Sequence, residues 1–107
     1  MRQSGWLLSY AAAGLGLALT SGAAAAVDAA HGEVLAKRWC ASCHIVAADQ
    51  TSGSTLAAPF SAIARRPDFD AARLAYFLLE PHPKMPSMSL SRSEAADLAA
   101  YIKAQGP

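Results

Sequence analysis

Cys40-Ala41-Ser42-Cys43-His44 decides how this chain is read, because it holds both cysteines and one of the three histidines. Two thiols three positions apart, followed at once by a histidine, form the attachment pattern for a c-type haem. The spacing has a mechanical reason. Two such thiols add to the two vinyl groups on one side of a porphyrin, and the adjoining imidazole reaches the iron without help from a second chain segment. Other chemistries compete for the same residues. A Cys-x-x-Cys pair also occurs in thiol–disulfide proteins, but that class is built on a βαβ framework with a redox-tuned helix start. No segment here alternates apolar and polar residues with strand period. A zinc site would need two further Cys or His ligands at suitable spacing, and only His31 and His82 remain, neither beside another ligand.

Upstream of the motif, residues 1–26 read as an export signal. Arg2 is the only charge before Asp28, Trp6 to Leu19 is apolar, and Ala24-x-Ala26 offers a cleavage site before Val27. The same segment left uncut would be an anchor, since residues 3–27 hold no charge and about 20 apolar residues span a bilayer. Both readings carry the domain, residues 27–107, outside the cytoplasmic membrane. This mature stretch has eight basic residues (Lys37, Arg38, Arg65, Arg66, Arg73, Lys84, Arg92, Lys103) against eight acidic ones. So even a balance gives no footing for nucleic-acid binding. A domain this short rarely buries enough apolar surface by itself and recruits a disulfide, a metal or a cofactor.

Helix periodicity recurs four times in the mature stretch. The first segment runs from about Asp28 to Trp39, with Val34 and Leu35 facing a core. A loop of small and turn-forming residues follows, Val46 to Ala58, and a short apolar piece, Phe60 to Ala64, closes it. Asp70 is placed to cap a third segment, Ala71 to Glu80, whose stripe is Leu74, Phe77 and Leu78. Pro81, Pro83 and Pro86 then exclude helix and central strand. Ser91-Arg92-Ser93-Glu94 is a capping box opening a last helix with Leu98, Ala99, Tyr101 and Ile102 on its apolar face. The expected fold is all-α: three to four helices wrapped around one haem.

At this point the chain resembles the class I cytochrome c family of small monohaem proteins, over about Gly32 to Gln105. Beyond the attachment motif the resemblance rests on Gly32, Pro59, Met85-Pro86, Leu98 and Tyr101, found in the family's order. It implies His44 as the proximal ligand of the haem iron and Met85 as the distal one. It also implies Gly32 at a close crossing with the last helix, and a Pro59 carbonyl that accepts a hydrogen bond from the ligand imidazole, fixing its orientation. Met88, His82 and His31 are the other candidates for the distal position. Met88 lies three residues from the Ser91 cap and reads as a core residue, His82 as a polar loop residue, and His31 as a solvated one. Phe60, Ile63, Leu74, Phe77, Leu78, Leu98 and Tyr101 are expected to wall the haem. The family's propionate-binding Trp is missing between Pro59 and Met85, with Tyr76 a candidate substitute, and Arg65 and Arg66 are candidates for a propionate or a partner. The loop between His44 and Pro59 assigns no role to any residue.

The resemblance implies a periplasmic single-electron carrier, not an enzyme, a monomer that meets redox protein donors and acceptors through a rim including Lys37, Arg38 and Lys84. The alternatives are a haem c subunit of a larger dehydrogenase or oxidase complex, attached to the membrane if its N-terminus is uncut, and, further off, a haem-free thiol–disulfide protein.

Overall fold

The computed structural model describes residues 11–18, 26–53, 57–80 and 84–107. Four helices follow one another: α1 (Ala29–Trp39), α2 (Phe60–Ala64), α3 (Ala71–Leu79) and α4 (Arg92–Ala104). Among the described residues there is no strand, so the all-α expectation holds. Most of the segment expected to direct export, and with it His82 of the proline-rich stretch, lies outside the described residues. Among the described residues no helix is long and apolar enough to cross a membrane.

Local chemistry starts each long helix. Asp28 accepts from the His31 N–H and Asp70 from the Arg73 N–H, satisfying donors that a helix start leaves over. Ser91 and Glu94 form the expected reciprocal capping box, the Glu94 carboxylate accepting from the Ser91 N–H at 2.8 Å and the Ser91 hydroxyl from the Glu94 N–H at 3.1 Å. Pro59 caps α2 without a side-chain bond, its carbonyl accepting from the Ala62 and Ile63 amides.

α4 is the hub. It packs against α1, α2 and α3, whereas among the described residues those three do not pack against one another. Leu98, Ile102 and Ala95 are buried from α4 and form one core cluster with Leu35 and Ala36 from α1, Phe60 from α2 and Leu78 from α3; Ala99 is buried as well. Gly32 lies at the α1–α4 crossing: a Cβ there would collide with the Asp97 carbonyl oxygen and come within 2.8 Å of Tyr101 Cβ. The crossing therefore requires the absence of a side chain, as expected. Val34 departs from expectation, being 61% exposed. With Gly32, Leu35 and Ala36 already forming the buried face, Val34 falls a hundred degrees off the stripe.

Three helices that touch only a fourth leave space between them. The attachment motif opens into that space.

Candidate haem site

α1 delivers the motif. The Cys40 N–H closes the helix on the Ala36 carbonyl, and the chain then reverses in one tight turn, the Cys43 and His44 amides both donating to the Cys40 carbonyl at 3.1 and 2.8 Å. Cys40, Cys43 and His44 thereby line a cavity of about 670 Å³, within the range of cofactor pockets. Its apolar wall comes from Phe60 and Ile63 of α2, Leu74, Phe77 and Leu78 of α3, and Ile102 of α4. Met85 and Met88, from the segment before α4, line it as well, with Arg66, Arg73 and Lys84 among the charged groups.

His44 is oriented by two neighbours. Its Nδ1 lies 2.6 Å from the Ala58 carbonyl oxygen. A carbonyl only accepts, so Nδ1 carries the proton and Nε2 is left with a lone pair for a metal. The Phe60 ring packs on the imidazole at 5.4 Å between centroids, tilted by 45°. The acceptor is thus Ala58 and not Pro59. Pro59's carbonyl is taken up by the first turn of α2. Its ring still contributes by restricting the preceding residue to extended conformations.

Both thiols are free. Burial pushes the Cys40 thiol up to about 11, whereas a thiol–disulfide active site needs a depressed value. Among the described residues there is also no strand of the framework that class is built on. The donor set instead fits a covalent haem: two thiols on one turn for thioethers, and an imidazole and thioether sulfurs, both ligand types of haem iron, around one apolar cavity.

Residues 27–102 match the family described as cytochrome c oxidase, cbb3-type, subunit III. The chain belongs to the c-type cytochrome family. It is similar to cytochrome c-552 of Bradyrhizobium diazoefficiens, 57% identical over 93 residues that cover 87% of this chain and 89% of the relative. No solved structure gives a match. A covalently bound haem c is the cofactor of this cytochrome, and carrying single electrons is its work.

Other sequence expectations sort themselves on the structure. Five of the seven expected wall residues line the cavity; Leu98 and Tyr101 do not. Leu98 is wholly buried between helices, and Tyr101 donates its hydroxyl to the Val46 carbonyl at 2.7 Å while its ring stands edge-on to Phe60. Tyr76 is 71% exposed and does not line the cavity, so it does not replace the missing Trp. Of the arginine pair Arg66 lines the cavity, its Nε 3.7 Å from Asp68, while Arg65 lines a separate groove. His31 is exposed but hydrogen-bonded, its Nδ1 2.9 Å from Asp97 on α4, a contact that raises its pKa; Asp97 is lowered first by the Asp28 N–H, which donates to it at 2.7 Å, and then by His31.

Two residues of this site escaped the sequence reading. Ala58 contributes only a backbone carbonyl, which no residue type advertises. Gln50 lies in the loop that assigned no role, and its carboxamide bonds four backbone groups around the attachment turn.

Proposed function

We propose that this cytochrome holds its haem through thioethers from Cys40 and Cys43, with His44 and Met85 as axial ligands, and passes single electrons between larger redox proteins. The observation that carries the reading is the convergence of both thiols, the Nδ1-protonated imidazole and a methionine on one apolar cavity. Met85 is preferred to Met88 because Met88 is the more deeply buried and belongs to the core cluster, whereas Met85 is half-buried and packs against it. Thioether sulfur favours the reduced iron and raises the potential, whereas a second imidazole would lower it. Were His44 and Met85 both to hold the iron, no position on it would be left for substrate, which suits a carrier and not an enzyme.

The domain works outside the cytoplasmic membrane, with residues 1–26 as a removed signal; an uncut segment would tether it there instead. Partners meet it at the cavity mouth. The Arg38 guanidinium lies 4.9 Å over the Trp39 ring, which lines the cavity and stays 41% exposed. Lys37 is paired with Glu33 at 2.6 Å and contributes less. Lys84 lines the mouth, and Lys84→Glu should slow reduction by an acidic partner at low salt, an effect that salt screens.

Optical titration of the purified holoprotein tests the ligand set. The expected result is a reversible one-electron transition, a sulfur-to-iron charge-transfer band when oxidised, and no carbon monoxide binding when reduced at neutral pH. Ready carbon monoxide binding would show an open coordination position and overturn the carrier reading.

A further inference from the structure

We propose that Gln50 is a positioning residue of the haem site, whose carboxamide clamps the attachment turn and so fixes the plane of the His44 imidazole. The proposal rests on His44 being the axial ligand. Gln50 Nε2 lies 3.0 Å from the Ala41 carbonyl, 2.8 Å from the His44 carbonyl and 2.6 Å from the Ser52 carbonyl, and its Oε1 accepts from the Val46 N–H at 2.9 Å. The chemistry of the partners sets the amide's orientation. Three carbonyls can only accept and one N–H can only donate, so the nitrogen must face the former and the oxygen the latter.

Past the end of α1 at Trp39 the chain runs as turn and coil without entering a strand, and it carries Val46 into the interior, only 1% exposed. A buried peptide group without a partner is destabilising, and here the partners are supplied one by one. Phe60 N–H takes the Ile45 carbonyl, the Tyr101 hydroxyl takes the Val46 carbonyl, and Gln50 takes the His44 carbonyl and the Val46 N–H. The loop closes tightly over this side chain: a Cβ on Gly53 would stand 3.3 Å from Gln50 Nε2.

The consequence for the imidazole is geometric. His44 is held at its ring by Ala58 and at its own carbonyl by Gln50. The Ala41 carbonyl, inside the Cys-x-x-Cys turn, is held by the same amide. One side chain therefore ties the tether and the ligand into a single unit, and removing its donors frees the peptide plane of His44 to rotate about a ring still anchored at Nδ1.

Proton NMR of the oxidised holoprotein tests this, because the spread of the haem-methyl resonances follows the orientation of the axial ligands. Three variants are compared below their unfolding temperatures: Gln50→Met, which keeps the volume and loses all four bonds; Gln50→Glu, which keeps the acceptor for Val46 and loses the donors; and Tyr101→Phe, which loosens the same loop at Val46 without touching His44. The wild-type spectrum first reports whether a histidine is coordinated, which separates a failure of the ligand assignment from a failure of the clamp. The expected result is a displaced methyl pattern in both Gln50 variants and a nearly wild-type pattern in Tyr101→Phe. Hydrogen exchange at the Val46 amide should rise ~10-fold or more in Gln50→Met and stay protected in Gln50→Glu. A wild-type methyl pattern in both Gln50 variants, or an equal displacement in Tyr101→Phe, would overturn the proposal.

Discussion

The two segments that bring candidate iron ligands to the cavity are built in opposite ways. On the His44 side, the described residues 40–53 and 57–60 are held by directed bonds: the Cys40 carbonyl, the Gln50 amide, the Tyr101 hydroxyl and the Ala58 carbonyl each have named partners. On the Met85 side, residues 85–90 have no hydrogen bond among the described residues, and the segment is secured by the burial of Met88 and by the Ser91 cap that follows. Ser89 turns the chain there with φ at 50°, a conformation that costs a non-glycine residue about 1–2 kcal/mol. Directed bonds fix an angle, and burial fixes a depth. An imidazole must be oriented about its ring, whereas a thioether on a flexible side chain needs only to be brought within reach.

The comparison breaks most visibly at the tethers. Cys40→Ser with Cys43→Ser should abolish all covalently retained haem, seen as loss of the haem stain on a denaturing gel. The two methionines should then behave differently. Met85→Ala should remove the sulfur-to-iron band in the oxidised spectrum. Met88→Ala should keep the band and lower unfolding stability by ~2–4 kcal/mol, the usual cost of emptying a core methionine site, measured by denaturant titration. The reverse pattern would exchange the two assignments. Gly32→Ala should destabilise by ~2 kcal/mol despite alanine's better helix propensity, because the new methyl meets the backbone at Asp97 and the start of the Tyr101 side chain.

Ser89→Gly sharpens the contrast in the other direction. Relief of the positive φ should raise stability by up to ~1 kcal/mol and leave the His44 environment unchanged. The smallest effect belongs to the α1–α4 surface. His31 faces Asp97 and Glu94 from α4 and Asp28 from its own helix start, and its pKa is raised chiefly by the hydrogen bond to Asp97. A raised histidine value means that its contribution is complete below about 6.5 and is lost as pH climbs through the folded value. Thermal stability should therefore decline slightly across neutral pH, and His31→Gln should flatten that decline. Asp97, whose value is lowered, acts in the opposite window and loses its contribution as pH falls below 4.

What the sequence disclosed follows from which interactions have a residue-type signature. The Ser91–Glu94 box, the Asp70 cap, the small residue at position 32 and the attachment motif each require particular side chains, and each stands where it was expected. The misplacements share one cause. The imidazole acceptor at Ala58 and the groups that Gln50 holds are backbone atoms, which every residue carries, so neither spacing nor composition points to them. Val34 shows a subtler limit: two adjacent apolar residues on one turn cannot both face a narrow crossing, and only the packing against α4 decides that Leu35 is the one inside.

All of this depends on a porphyrin completing the space that α1, α2 and α3 leave between them. Intact mass of the denatured polypeptide, purified from cells able to mature c-type cytochromes, tests that directly. The chain should carry the added mass of one haem, lost when Cys40 and Cys43 are replaced by serine. A folded protein at its bare polypeptide mass, or two hydrogens lighter through a Cys40–Cys43 disulfide, would contradict it.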